Sequence, residues 1–301
     1  MIRLGAQVSA VPGFEAVIDS AKNAGVTTLQ LFTRNPVGGQ GRPLPRAGSL
    51  AERLAVADIR PLFFHAPYFV NPAAVDEDMK LRAHRVLQDE MRRVKRLSGH
   101  YLVIHPGHQQ AEREKGLEAL VATVVAMLKR PGRILIENAS GQGKELGASF
   151  DELGCVFSSI GKTRRVGLML DTAHAMAYGY PLRSATDWRE LLSVIERTIG
   201  LDRVCGIHLN DNMYPAGSHR DRHAALLMGD MGRDALHAIL QTADQRQWPL
   251  VLETPGRDLV SRCDDFSTVV ALVGDDNCHP LMQKFVAHAA HVSDSETAIS
   301  S

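Results

Sequence analysis

Eight short apolar runs, each ending in a polar side chain, recur along the chain and restrict its fold more than any other feature. The clearest run, V-G-L-M-L-D-T-A-H, starts at Val166 and ends in Asp171 and His174. The other seven runs end in Gln7, Asn35, His65, His105, Glu137, His208 and Glu253. Continuous apolar runs separated by helix-length segments are typical of parallel strands buried on both faces. The sequence therefore predicts an α/β fold, a (β/α)8 TIM barrel with its chemistry at the carboxyl ends of the strands.

The segments between these runs predict the crossover helices of such a barrel. We expect helices over 14–24, 49–57, 76–97, 113–129, 149–160, 187–198, 233–243 and 258–272. A barrel of this kind uses a chain of this length as one domain. We therefore expect a catalytic domain over 1–273 and a C-terminal extension over 274–301. About the last ten residues are polar and are expected to be disordered.

Charge, cysteine content and apolar run length narrow the class of protein. The chain has 34 basic and 34 acidic residues, so any affinity for nucleic acid must come from a local patch. Its four cysteines form no C-x-x-C pair, which suits a reducing compartment. The N-terminal stretch has no signal-peptide pattern, and no apolar run is long enough to span a membrane. We expect a cytoplasmic monomer that does not enter a membrane.

Nine histidines and carboxylates at strand ends, and in the loops after them, form a candidate metal-ligand set. They are His65, His105, Glu137, Asp171, His174, His208, Asp221, His223 and Glu253. A single strand-end histidine is more often structural, and Asp171 could simply cap a helix. Together, however, the carboxylates would repel one another at one barrel mouth unless cations lay among them. Nine nitrogen and oxygen ligands suit two or three ions of zinc, with manganese or iron possible.

The loop after the second apolar run is basic and rich in glycine and proline. It carries Arg34, Arg42 and Arg46 and no acidic residue over 34–48. Two interpretations stay open for it: a flexible linker, or a basic loop that faces phosphate at the functional end of the barrel.

Eight motifs follow one another in order from residue 4 to residue 256. They are G-A-Q-V-S-A, F-F-H-A-P-Y, H-P-G, I-E-N-A-S-G-Q-G, L-D-T-A-H-A-x-A-x-G-Y, H-L-N-D, D-R-H and L-E-T-P. Together they resemble the endonuclease IV family of apurinic/apyrimidinic (AP) endonucleases, a xylose-isomerase-like barrel family. The resemblance implies a trinuclear zinc site and cleavage of the phosphodiester 5′ to an abasic site, which leaves a 3′-hydroxyl.

The resemblance also implies a role for each matching residue. His65, His105 and Glu137 would hold one zinc ion, and Glu137, the catalytic candidate, would bridge to a second. Asp171, His208 and Glu253 would complete the second site. His174, Asp221 and His223 would hold the third ion. Damaged double-stranded DNA would be the partner, contacted by Tyr68, Arg34, Asn35 and Arg222.

The sequence departs from the family mainly in the parts that handle DNA. Val37, Gly38 and Gly39 stand where the family usually has Arg-Gln-Trp or a similar triplet. Gln7 and Ala224 replace family histidines. A broader nucleic-acid phosphodiesterase is therefore one alternative to a strict AP endonuclease.

Two further alternatives come from other functional classes. A xylose-isomerase-like sugar isomerase or epimerase would use Glu137, Asp171, His208 and Glu253. It would have no use for the remaining ligand candidates of the third site. A metal-bearing nucleic-acid-binding protein that does not cut is the other alternative.

Overall fold

Eight parallel strands close into a barrel, as the apolar runs predict. The computed structural model describes residues 1–38, 40–46 and 48–288. The barrel strands are β1 (Leu4–Gln7), β2 (Thr28–Phe32), β3 (Leu62–His65), β4 (Tyr101–Ile104), β5 (Ile134–Glu137), β6 (Val166–Asp171), β7 (Val204–His208) and β10 (Leu250–Leu252). Each strand pairs with the next one along the chain, and β10 closes the barrel by pairing with β1. The (β/α)8 fold is confirmed.

Helices surround the barrel close to the predicted positions. They are α1 (Phe14–Asn23), α2 (Ser49–Val56), α3 (Glu77–Arg96), α4 (Arg113–Met127), α5 (Phe150–Ile160), α6 (Thr172–Tyr178), α7 (Ala185–Thr198), α8 (Arg233–Arg246) and α9 (Cys263–Val273). Short 3-10 turns cover Leu201–Arg203, Val260–Arg262 and Asp275–Asn277. The start predicted for the last helix was wrong by several residues, because Val260–Arg262 forms a separate 3-10 turn before α9.

Two elements at the functional end of the barrel were not predicted. Helix α6 follows β6 without a loop, and the Asp171 side chain caps it by accepting a hydrogen bond from the backbone of His174 at 2.7 Å. In the long loop after β7, β8 (Asp211–Asn212) and β9 (His223–Ala224) form a small antiparallel pair. Both elements carry candidate ligands into the barrel mouth.

Residues beyond α9 pack against the beginning of the chain. The backbone N–H of Ile2 donates to the carbonyl of Asn277 at 3.1 Å, and Cys278 and Met282 are buried. Residues 280–288 are helical. The division into a domain over 1–273 and an extension over 274–301 stays a prediction, and the expected disorder near the C-terminus lies outside the described residues. Within those residues, no helix combines the length and apolar character needed to span a membrane.

Candidate metal centre

The two-residue period of the strands brings the ligand candidates to one end of the barrel. Five fully buried side chains fill the barrel interior: Phe63, Val103, Leu135, Met169 and Val251. Two residues further along the same segments come five of the predicted ligands: His65, His105, Glu137, Asp171 and Glu253. Side chains at i and i+2 of a strand point the same way. These ligands therefore point inwards, one layer above the apolar filling.

The nitrogen and oxygen atoms of these residues gather in three groups. The groups are His65, His105 and Glu137; Glu137, Asp171, His208 and Glu253; and Asp171, His174 and His223. Within each group, one ligand atom from each residue lies within 4.8 Å of all the others. Glu137 belongs to two groups and so does Asp171, so the three groups are neighbours that share carboxylates.

Asp221 reaches the third group from the loop between β8 and β9. One of its oxygens lies 3.3 Å from His174 Nε2, and the other lies 3.3 Å from His223 Nε2. The pairing of Asn212 with His223 holds β9 beside β8 and fixes the position of this loop. With Asp221 included, all nine predicted ligands converge on one mouth, although Asp171 joins the third group as well as the second.

Four of the histidines have the hydrogen-bonding pattern of metal ligands. His65 Nδ1 donates to the carbonyl of Ala66, and His174 Nδ1 donates to that of Asn138. His223 Nδ1 donates to the carbonyl of Glu253, and its buried Nε2, although 3.3 Å from Asp221, makes no hydrogen bond of good geometry with a described residue. An imidazole that donates one N–H to an acceptor presents the lone pair of its other nitrogen to a metal. The donor set therefore fits divalent ions.

His208 shows the same pattern through the amide side chain of Gln30, which is not among the predicted site residues. Gln30, on β2, accepts from His208 Nε2 at 2.9 Å and donates to Glu253 Oε1 at 2.6 Å. As a result, His208 Nδ1 faces Glu137 and lies 2.9 Å from its Oε1. Gln30 is fully buried in β2, between Leu29 and Leu31. A polar residue pointing inwards from such a strand was the one sequence signal that could have identified it.

Two asparagines hold Asp171 in place. Asn210 Nδ2 donates to Asp171 Oδ2 at 2.7 Å. Asn138 pairs with the backbone of Asp171, donating to its carbonyl at 3.0 Å and accepting from its N–H at 2.8 Å. Such contacts orient ligand carboxylates around a metal.

The proximity of carboxylates and imidazoles shifts their protonation strongly. Burial alone would raise the pKa of Glu137, but His208 and His105 outweigh it and hold the pKa well below its usual range. Burial would lower the pKa of His208, whereas Glu253 and Glu137 raise it to about 9. The carboxylates of the mouth thus stabilise positive charge among them, as a site for cations requires.

A cavity of about 260 Å³ opens over the third group and is lined by Tyr68, His105, His174, Asp221, His223 and Glu253, among others. The Tyr68 ring lies against the His65 and His105 rings, with centroids 5.6 and 6.0 Å away. His108 lines the cavity edge, where Asn71 holds its backbone through two hydrogen bonds of 3.0 Å. The cavity gives an external ligand access to the grouped donors.

Arg34 does not point to the mouth, contrary to the expectation that it contacts DNA. The residue is 8% exposed, and its guanidinium pairs with Glu90 and with Asp89 of α3. The side chain therefore anchors the second loop to α3. Asn35 accepts a hydrogen bond from the N–H of Val37. The neighbouring Gly39 lies outside the described residues.

The other predicted DNA contacts remain accessible. Tyr68 is 56% exposed. Arg222 is exposed, and its guanidinium has no hydrogen bond or ion pair with any described residue. Its backbone carbonyl accepts from Met213 N–H at 2.9 Å, which places it beside the ligand pair Asp221 and His223.

A match to a protein-family model identifies the class of barrel to which the chain belongs. A family model described as "Xylose isomerase-like TIM barrel" matches residues 18–271, so fold and site define a barrel of that class with a metal-ligand set at its mouth. A probable endonuclease 4 from Moorella thermoacetica is 38% identical over 278 residues, covering 90% of this chain and 98% of the relative. A second, from Heliobacterium modesticaldum, is 37% identical over 84% of this chain and 93% of the relative. The chain belongs to the endonuclease IV family.

Solved structures agree with this assignment. The crystal structure of endonuclease IV from Thermus thermophilus has a TM-score of 0.79 and 28% identity, covering 90% of this chain and 98% of that one. A D-tagatose 3-epimerase-like protein, at 16% identity and a TM-score of 0.68, covers 90% of this chain and 97% of its own. That second likeness is one of fold alone. Membership therefore places the chain among nucleases whose family implies a metal cofactor.

Proposed function

We propose that this protein is a zinc-dependent AP endonuclease of base excision repair. It hydrolyses the phosphodiester 5′ to an abasic site in double-stranded DNA and leaves a 3′-hydroxyl. The observation that carries the proposal is the convergence of nine histidines and carboxylates in three adjoining groups at one barrel mouth. Their histidine-rich composition favours three zinc ions per chain, with manganese possible in part.

The residues of the mouth would have different roles in such a reaction. When bound, the ions supply Lewis-acid charge that activates water at neutral pH and stabilises charge on the phosphate. Glu137 directs Oε2 to His65, at 3.1 Å, and Oε1 to His208, at 2.9 Å, so one carboxylate serves two groups. Arg222 is placed to meet a phosphate oxygen beside the third group, where a charge-assisted bond would orient the substrate.

The third group distinguishes this reaction from sugar isomerisation. An isomerase needs Glu137 and its neighbours in the second group, but it leaves His174, Asp221 and His223 without a role. In this chain, Asp221 lies 3.3 Å from both His174 and His223. Three donors held this closely support a further ion, which suits hydrolysis of an anionic phosphodiester.

Incision of a defined duplex tests the proposal. The substrate carries one tetrahydrofuran abasic analogue, and the matched control is the same duplex without a lesion. We expect incision immediately 5′ of the analogue, a 3′-hydroxyl product that a polymerase extends, and loss of incision in EDTA. Equal cutting of both duplexes would indicate a broader phosphodiesterase. Zinc-loaded protein that binds the duplex without incision would contradict the proposed reaction.

A further inference from the structure

The amino-terminal end of the barrel, away from the metal centre, carries two adjoining open clefts of about 610 and 600 Å³. They share Tyr101, Asp202 and Cys205, and together we call them the basal surface. Seven basic side chains line it: Arg3, Arg60, Arg133, Lys162, Arg164, Arg203 and Arg246. Among the described residues that line it, Asp202 is the one acid. The surface lies where the strands begin, so it shares no residue with the metal centre.

This concentration of positive charge is not a property of the whole chain. The chain as a whole has equal numbers of basic and acidic residues. The lining residues carry a formal charge of +6, from seven cations against one acid. Asp58, which pairs with Arg3 and Arg60, lowers this value to +5. The basal surface is therefore strongly positive, although the chain as a whole has no net charge.

Helix ends explain only part of this charge. Basic side chains commonly bind the free carbonyls at helix C-termini, which lie at this end of a (β/α)8 barrel. Arg203 does this, donating to the carbonyls of Gly161 and Thr163. Lys162 and Arg164, in contrast, are exposed, and their side chains bond to no described residue. Their charges are left for a ligand outside the chain.

Aromatic rings hold two further guanidinium groups without neutralising them. Arg133 lies over the Tyr101 ring at 5.7 Å, and Arg246 lies over the Trp248 ring at 5.3 Å. A cation held over a neutral ring is oriented but keeps its charge. Both arginines are exposed. The surface thus presents oriented cations to solvent.

We propose that the basal surface binds the phosphodiester backbone of nucleic acid, as a second contact separate from the metal centre. Its cations precede six different barrel strands and line two continuous, open clefts, which suits a row of phosphates. A small anion would instead require donors that converge in one enclosed pocket. Backbone binding by scattered cations is sequence-independent and weakens steeply with salt. This contact goes beyond the proposed incision reaction and does not depend on it.

Salt-dependent binding of an undamaged 30-base-pair duplex tests this inference in the full-length, metal-loaded protein. The test variant is Lys162→Gln/Arg164→Gln/Arg246→Gln. The matched control, Arg82→Gln/Arg85→Gln/Arg189→Gln, removes three exposed charges from the outer helices α3 and α7. We expect the basal variant to bind at least tenfold more weakly at low salt. The slope of log affinity against log salt should fall by about 2 to 3, since each lost phosphate contact removes about 0.9.

The remaining outcomes decide between the alternatives. Equal losses of duplex affinity in the basal and control variants would show that the effect comes from net charge alone, and would overturn the inference. A basal variant that loses affinity for inorganic phosphate or a mononucleotide, but not for the duplex, would assign a small-anion site and also overturn it. Incision of a short lesion duplex, measured in parallel, should be unchanged in the basal variant. A protein that never incises but shows the binding difference would leave this inference standing while the proposed function fails.

Discussion

Glu137 is the residue on which the arrangement of the metal centre depends most. Its two oxygens lie 3.1 Å from His65 Nε2 and 2.9 Å from His208 Nδ1, and the side chain is fully buried. Glu137 is thereby shared between the first and second groups. Because the strand period fixes its direction, a neighbouring residue cannot replace it.

Replacing Glu137 with glutamine should therefore remove charge from two groups at once. We expect Glu137→Gln to lower the rate of incision by several orders of magnitude and to reduce the bound metal per chain. Single-turnover incision and elemental analysis are the measurements. Glu145→Gln is the control, since Glu145 lines the cavity but bonds Ser140 instead of a ligand. A nearly normal rate for Glu137→Gln would contradict its bridging role.

Gln30 should act through the ligands it orients. Because it bonds both His208 and Glu253, Gln30→Ala should weaken metal affinity about 10- to 100-fold. Competition with a chromophoric chelator measures the affinity. Gln7→Ala is the control: Gln7 pairs with Gln30 in the neighbouring strand, and among the described residues its Oε1 has no hydrogen-bond partner. Equal affinities for the two variants would remove Gln30 from the metal centre.

Single residues differ in how far the sequence could identify them. Seven of the nine candidate ligands could be predicted because apolar runs end in them, and parallel strands end at one mouth. Asp221 and His223 lie in the loop after β7 and were identified through the D-R-H motif. Gln30 could not be predicted, because its two partners are distant in sequence and no local pattern names them. The ion pair of Arg34 with Glu90 could not be predicted for the same reason: Glu90 lies on α3, and nothing in the loop itself indicates a buried acid there.

At the scale of elements, α3 fixes the basic second loop. Glu90 is fully buried and accepts hydrogen bonds from Arg34 and from the Thr33 hydroxyl. Arg93 donates to the Thr33 carbonyl at 2.8 Å and to the carbonyl of Arg42. These contacts hold both stems of the loop, so the flexible-linker interpretation does not describe them.

Breaking this anchor should loosen the loop and destabilise the fold. Removing one partner of a buried ion pair costs about 3–5 kcal/mol, so Glu90→Gln should lower the free energy of unfolding by that order. Asp89→Asn removes the ion pair of Asp89 with Arg34, in which the Asp89 side chain is 38% exposed. This variant should lower the free energy of unfolding by less than about 1 kcal/mol. Chemical denaturation measures both values, and hydrogen exchange should increase over 33–46 in the first variant. Similar losses of stability in the two variants would contradict the role of buried Glu90 in anchoring the loop.

The β8–β9 pair carries Arg222 beside the third ligand group. Arg222→Ala should weaken binding of a lesion duplex because it removes a guanidinium that bonds to no described residue and lies in the chain between Asp221 and His223, and metal content should not change. Fluorescence anisotropy with a tetrahydrofuran duplex measures the affinity. Arg220→Ala is a nearby control, since Arg220 lies over the Tyr214 ring at 4.2 Å. Unchanged affinity for Arg222→Ala would exclude it as a DNA contact.

At the scale of the whole molecule, the metal centre exists only in the closed barrel. Its candidate ligands come from β3, β5, β6, α6, β7, the β8–β9 loop, β9 and the residues that follow β4 and β10, so the unfolded chain cannot assemble them. Ligands that bind the folded state alone stabilise it. Chelation should therefore lower the thermal midpoint, and added zinc should restore it. An unchanged midpoint in calorimetry would mean that folding and metal binding are independent.

The overall architecture could be predicted from the sequence more fully than its detail. Eight buried parallel strands leave a strong apolar pattern, and the helices between them have clear boundaries. Helix α6 follows β6 so directly that its apolar residues extend the pattern of the strand. Strands β8 and β9 have two residues each, which is too short for any periodicity. Helix α6 and the β8–β9 pair both lie at the mouth, and functional sites are where local sequence patterns most often fail to predict the structure.

Anomalous diffraction from crystals of the protein as purified, recorded at the zinc absorption edge, tests the central claim most directly. We expect three peaks at the barrel mouth. One should lie among His65, His105 and Glu137, one beside His208 and Glu253, and one among His174, Asp221 and His223. A single peak, or none within reach of these nine side chains, would contradict it.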